Sequence, residues 1–261
     1  MIHPLACVDS RAEIADGVEV GPFAVIEADA RIGPNCRVGA HAAISSGTRM
    51  GRDNVVFPGA FVGADSQDMK YKGEQSYLLI GDRNVIREAA TLNRATGEGL
   101  ATCIGDDNLI MAYAHVAHNC VLGNHVIMAN SATLAGWVIL EDYAIVGGLS
   151  AVHQFCRVGR HAIAGGKTKI TKDIPPYFLA DGHPARPYGL NVVGLRRRGF
   201  SEETMRDLKE AYKILYHSSL LLKDAVERLR EQYPKHPEIT NLIEFIGASK
   251  RGIVRPRRAA P

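Results

Sequence analysis

Large aliphatic residues recur every six positions along the first two-thirds of this chain. From Ile2 the frame runs through Val8, Ile14, Val20, Ile26, Ile32, Val38, Ile44, Met50, Val56 and Val62. It resumes at Ile80, Ile86 and Leu92, then continues unbroken from Ile104 to Ile170. Of its 29 positions 26 are apolar, and the exceptions, Asp68, Glu74 and Glu98, fall in two places only. Four residues after the aliphatic one the side chain is usually small, as at Ala24, Cys36, Ala90, Cys120 and Cys156. Glycine often follows the aliphatic residue directly, as at Gly21, Gly33, Gly39, Gly105 and Gly147. A helix repeats near 3.6 and a half-buried strand alternates with period 2, so neither accounts for this. A chain that turns the same way every six residues does. The pattern predicts a mainly β fold, a parallel β-helix of short strands, three to a coil of about 18 residues, with coils stacked about 4.8 Å apart. The aliphatic residue fills the interior, the small one fits a corner, and glycine is expected where the backbone takes unusual angles.

Polar segments replace the aliphatic ribs near 64–79 and 94–103, which predicts two loops thrown out from the coil, the place where function tends to sit on a rigid scaffold. Past Ile170 the repeat dissolves into Asp173-Ile174-Pro175-Pro176 and a stretch to Phe200 that reads as irregular. Ser201 followed by Glu202 and Glu203 reads as a capped helix start, with Met205, Leu208, Tyr212 and Leu215 on one face. Further amphipathic segments lie at about 220–232 and 238–250. The organisation expected is a β-helix domain over 1–190 and a small C-terminal α-helical domain over 191–261, closed by a loose basic tail from Arg255.

The 18-residue period also says which residues are neighbours across coils. His118, Gly136 and Gln154 are spaced by 18 and form one column, with His153 beside it. His118 and His153 are then about 10 Å apart, with a gap free of side chains at Gly136 that reads as a pocket. A histidine beside such a gap suits a general base, although several of the ten histidines must be ordinary surface residues. No serine has a nucleophile-elbow context, and the cysteines of the small position read as corner packing.

Composition narrows the classes. No apolar run reaches the length of a membrane span, which argues against stable membrane insertion, and the amino terminus has no export signal, so a cytoplasmic location is expected. Five cysteines without a CxxC pair read as reduced thiols. The net charge of +3 is too small to call for nucleic acid. Its distribution matters more: Lys167, Lys169 and Lys172 close the β-helix, Arg196, Arg197 and Arg198 open the helical part, and Lys250, Arg251, Arg255, Arg257 and Arg258 follow. Such clusters suit phosphates or an acidic protein, or are simply a solvated face.

The pattern aliphatic-Gly-x-x-small-x resembles the left-handed hexapeptide-repeat β-helix family, whose handedness is the opposite of the general rule for parallel crossovers. More specifically, QDMKYKGE (67–74), IGDRNVIRE (80–88), MAYAHVAHNC (111–120), GGLSAVHQFCRVG (147–159) and NVVGLRRRGFS (191–201) resemble the UDP-N-acetylglucosamine O-acyltransferase family over essentially the whole chain. That resemblance implies transfer of an (R)-3-hydroxyacyl group from acyl carrier protein to the sugar 3-hydroxyl, the first step of lipid A biosynthesis, by a homotrimer with sites between subunits and no cofactor. It implies His118 as general base and the Gly136 N–H as oxyanion donor. Asp68, Lys70, His115, His153 and Gln154 match positions lining the substrate site, Asn191 and Arg197 contacts to the nucleotide, and Gly166 a position limiting acyl length, where bare glycine leaves room for a longer chain. Three residues depart from it: Asn119 where an aspartate commonly partners the base, Trp137 for a pocket histidine, and Val193 for a glutamate near the nucleotide. A weaker base suffices for an amine, so a 3-amino sugar analogue is an alternative acceptor. Another hexapeptide acyltransferase and a non-catalytic scaffold are the remaining alternatives. Because γ-type carbonic anhydrases share the β-helix, His115 and His118 could also be zinc ligands, but their spacing on an extended segment points them apart and no metal is expected.

Overall fold

A computed structural model describes residues 1–256. The hexads form a three-sided parallel β-helix with one sheet on each side, of nine, eight and ten strands. Most strands are two residues long, the first facing out and the second in, as in Val25–Ile26 and Arg31–Ile32. Cys7 pairs with Val25 and Val25 with Ala43, the 18-residue step that the frame predicts. The interior is a single column of aliphatic ribs and small corner residues, fully buried from Ala24 to Ile174. The coil winds left-handed. The right-handed rule concerns longer strands joined by crossover connections, and here six-residue turns replace them.

The corners carry the strain, and not where the sequence pattern puts it. Left-handed backbone recurs every six residues, three places after the aliphatic rib, at Phe23, Asp29, Asn35, Tyr113, Asn119, Trp137, Leu149 and Phe155 among others. Gly21, Gly33, Gly39, Gly105 and Gly147 have ordinary φ, so the expectation that they supply unusual angles is wrong. They are glycine because the coils pass too close: a Cβ on Gly33 would stand 2.6 Å from the Gly51 carbonyl carbon and oxygen. The left-handed corners cost on the order of 1 kcal/mol each for a residue with a Cβ, and the backbone hydrogen bonds of the stack hold them there.

The two polar segments are whole hexads looped out. Val55 pairs with Val85 and Val85 with Leu109, steps of 30 and 24 residues in place of 18. Around these insertions an asparagine ladder takes over the small position. Asn54 Oδ1 accepts the Asn84 N–H at 2.8 Å, Asn84 Oδ1 the Asn108 N–H at 3.0 Å, and Asn108 Oδ1 the Val126 N–H at 2.7 Å.

After Ile170 the chain is ordered rather than irregular. Phe178–Asp181 adds in parallel to one sheet and turns back as Arg186–Leu190, an antiparallel edge. Helix α1 (Val192–Arg197) follows, then α2 (Glu202–Tyr216), α3 (Leu222–Gln232) and α4 (Pro237–Gly247). Ser201 caps α2 as expected, its side chain accepting the Thr204 N–H, and Met205, Leu208, Tyr212 and Leu215 are buried in a second apolar cluster with Phe178. The segment after α4 is tied back to the coil up to Val254. Asp173 exchanges backbone hydrogen bonds with Gly252 and Val254, and its carboxylate accepts from Ser249 Oγ at 2.6 Å. Arg255 donates to the Leu215 carbonyl; Arg257, Arg258 and the rest of the tail lie outside the described residues.

Gly33→Ala is expected to destabilise by about 2–3 kcal/mol through backbone overpacking, read as a fall in the denaturant midpoint. Gly59→Ala, with open space around its Cβ but φ of +69°, should cost only about 1 kcal/mol.

Candidate active site

The His118 corner is built by the stack itself. Trp137 N–H donates to the His118 carbonyl at 3.1 Å and Phe155 N–H to the Gly136 carbonyl at 3.3 Å, which sets His118, Gly136 and Gln154 one above another as the period predicts. His118 is buried, with 7% of its surface exposed. The predicted gap at Gly136 is not empty. A Cβ there would lie 2.4 Å from both His118 Cε1 and Nε2, so the imidazole lies over the bare glycine and fills the space. The open groove is beside this column instead, about 540 Å³ lined by Trp137, Ile139, Phe155, Arg157 and the returning segment at Ala248, Lys250 and Arg251.

The tautomer of His118 follows from its neighbour. Asn119 Nδ2 donates to the Thr96 carbonyl at 3.1 Å and its Oδ1 accepts the Thr96 N–H at 3.0 Å, which fixes the amide with oxygen toward the histidine. His118 Nδ1, 2.8 Å from that oxygen, therefore carries the proton. Nε2 faces Asp68, whose carboxylate is 3.8 Å away. Asp68 sits on the longer loop, its other oxygen accepting the Lys70 N–H at 3.0 Å; the Lys70 side chain is exposed.

His115 turns its Nδ1 to Thr91 Oγ1 at 2.7 Å; burial, and then the neighbouring His118, push its pKa below the ordinary value. Among the described residues no three His, Cys, Asp or Glu side chains cluster as metal ligands. His153 is exposed, and Arg251 Nη2 reaches its Nδ1 at 3.0 Å. Backbone N–H groups ahead of left-handed corners differ between columns. Those of Asp82, Asp106 and Asn124 are covered by the side-chain oxygen of the next coil. The Gly136 N–H donates to no group among the described residues.

The remaining predicted residues do not gather round His118. Asn191 caps α1, its Oδ1 accepting the Gly194 N–H at 3.1 Å while Nδ2 donates to the His161 carbonyl at 2.9 Å. That is the next corner of the triangle, where His125, Tyr143 and His161 stack in a ladder at 4.6 Å and Arg198 lies over Tyr143. Arg197 and Val193 are exposed on α1. Gly166 stands on the third corner, its nearest neighbour the Gly148 carbonyl. Trp137 is 43% exposed and stacks with Phe155. Thr96 and Thr102, which hold Asn119, carried no signal in the repeat.

A family model described as "Udp N-acetylglucosamine O-acyltransferase; Domain 2" matches residues 173–254, and one for bacterial transferase hexapeptides matches 11–46 and 104–136. The acyl-[acyl-carrier-protein]–UDP-N-acetylglucosamine O-acyltransferase of Alkalilimnicola ehrlichii is 54% identical over 97% of this chain and 99% of its own. The chain belongs to the UDP-N-acetylglucosamine O-acyltransferase family. The protein of that name from Pseudomonas putida GB-1 is 50% identical over the same shares. The solved UDP-N-acetylglucosamine acyltransferase of Bacteroides fragilis superposes with a TM-score of 0.95 at 44% identity, covering 98% of this chain and all of that one. That of Francisella novicida gives 0.95 at 40% identity, over 98% and 94%. This chain is thus an enzyme of that family, and its left-handed coil is the family's.

Two predictions follow from the geometry of this acyltransferase. Gly136→Ala should displace the His118 ring and lower turnover by about a hundredfold or more, while circular dichroism and melting stay close to the parent. Burial, and then Arg160 and Arg198, push the pKa of His161 down to about 4. The unfolded chain therefore binds an extra proton between about pH 6.5 and 4, and stability is lost as pH falls through that window. His161→Phe should flatten this slope in melts recorded between pH 7 and 4.

Proposed function

We propose that this enzyme transfers an (R)-3-hydroxyacyl group from acyl carrier protein to the 3-hydroxyl of UDP-N-acetylglucosamine, the first step of lipid A biosynthesis. The observation that carries the reading is the buried His118 imidazole, held by Asn119 at Nδ1 with Nε2 over Gly136 and toward Asp68. Nε2 takes the hydroxyl proton as the sugar oxygen attacks the thioester carbon. The Gly136 N–H, which donates to no group among the described residues, meets the oxyanion of the tetrahedral intermediate. Collapse breaks the C–S bond, and the imidazolium returns its proton to the departing thiolate. The relatives' names state the same donor and acceptor.

Asp68, Lys70, His115, His153 and Gln154 line the substrate side of this column in the proposal. Asn191 and Arg197 meet the nucleotide, and Gly166 borders the acyl chain. These lie on three different corners of one chain, which supports a homotrimer whose sites combine corners of adjacent subunits. The exposed lysines and arginines near His153 and α1 suit the phosphates of the nucleotide and an acidic carrier protein. Five free cysteines suit the cytoplasm.

A second acceptor is favoured by one contact. The partner of the base is an uncharged amide, which stabilises an imidazolium less than a carboxylate does. An amine attacks without prior deprotonation, so a 3-amino analogue of the sugar would need less of His118. An assay crossing acyl carrier proteins of several chain lengths with both acceptors tests both readings. The expected result is carrier-dependent acylation that His118→Ala lowers by a factor of about 10² to 10⁴. Full turnover by that variant would overturn the general-base reading. Equal or better turnover of the ordinary sugar would overturn the amine preference.

A further inference from the structure

Asn119 stands in a closed circuit around the imidazole. Its Oδ1 accepts from His118 Nδ1 at 2.8 Å and from the Thr96 N–H at 3.0 Å, while Nδ2 donates to the Thr96 carbonyl at 3.1 Å. Its own N–H is taken by Thr102 Oγ1 at 2.8 Å. Thr96 belongs to the shorter loop, and its hydroxyl lies 2.6 Å from Ser66 Oγ on the longer one. Ser66 Oγ accepts the Asp68 N–H at 3.2 Å, and the Asp68 carboxylate comes back to His118 Nε2 at 3.8 Å. The path leaves one ring nitrogen and returns to the other through both insertions.

We propose that Asn119 is a positioning residue that latches both loops around the base, and that this task requires an amide. The inference rests on His118 being the base, for the part that concerns turnover. The side-chain amide meets the Thr96 peptide as one peptide meets another in a ladder, donor to acceptor and acceptor to donor. An aspartate in its place would keep the Thr96 N–H and the histidine but set its second oxygen against the Thr96 carbonyl oxygen. Two acceptors would then face each other in a nearly closed site, which costs as much as a lost buried hydrogen bond. The shorter loop would be released first. Through the Ser66 hydroxyl the longer one, which carries Asp68 and Lys70, would follow. In this chain the change that strengthens the charge beside the base undoes the enclosure around it.

The test compares Asn119→Asp and Thr96→Ala with the parent, using hydrogen–deuterium exchange of 64–76 and 94–100 and steady-state kinetics against pH. Charged or titratable groups facing the imidazole, Asp68 and His115, are unchanged in both variants. Asn119→Asp is expected to speed exchange in both loops and raise KM for UDP-N-acetylglucosamine about tenfold. The acid limb of kcat/KM should move to higher pH, because a carboxylate favours the imidazolium. Thr96→Ala cuts only the hydroxyl link, so KM should rise and 64–76 exchange faster while the acid limb stays in place. Parental KM and parental protection of both loops in Asn119→Asp would overturn the proposal, as would an unaltered 64–76 segment in Thr96→Ala. Exchange is read without substrate, so it stands apart from the base reading, which fails separately if His118→Ala keeps its turnover.

Discussion

Every coil is tied to the next by backbone hydrogen bonds in a fixed step, and the rest of the molecule follows from that step. Those bonds involve no side chain, so they hold a corner residue in left-handed backbone whether it is asparagine, leucine or tryptophan. Outward side chains add to this tie in some columns, as where Asp106, Asn124 and Asp142 accept N–H groups of the adjacent coil, and leave others open. A residue such as His118 can then be placed to within the spacing of a sheet by nothing more than its number in the chain. The scaffold is rigid where chemistry needs it and indifferent to what the chemistry is.

Most of the β-helix was legible because a period of six has so few structural explanations. The His118–Gly136–Gln154 column was legible for the same reason, since a constant step turns sequence distance into spatial distance. What escaped notice is aperiodic or concerns backbone angles. Phe178–Asp181 and Arg186–Leu190 pair antiparallel past the proline pair, where the hexad no longer guides the eye. Glycine after the rib was read through its conformational freedom, whereas contact between coils decides it. The Asn54–Asn84–Asn108 ladder occupies positions expected to be small; the Asn54 and Asn84 amides bond within the ladder and to neighbouring backbone, while Asn108 Nδ2 has no partner among the described residues.

The candidate site shows the same division. Column geometry brought His118 and Gly136 together but could not show that the ring would lie over the glycine. The hydrogen bond that orients the ring comes from Asn119 at a strained corner, whose amide is itself held by Thr96 on a loop. Asn191 is spent on capping α1, a contact that only the path after the last coil creates. In the proposed reading, the positions spread over three corners belong to a site completed by an adjacent subunit.

The insertions have one more consequence. Each is a whole number of hexads, so the chain has a rival winding in which the loops become extra faces of the coil. The stretch between them would then be rotated onto the wrong side, and everything after them pushed further along the axis. Gly136 would still sit beneath His118 but no longer beside the loop residues. The polar residues at 68, 74 and 98 forbid it, because that winding turns Asp68, Glu74 and Glu98 into the apolar interior, where an unpaired carboxylate costs several kcal/mol. In the observed winding the same three face outward: Asp68 toward His118, Glu74 holding the Lys72 and Gly97 N–H groups, and Glu98 that of Gln75. The carboxylates that dress the loops thus also keep count of the turns.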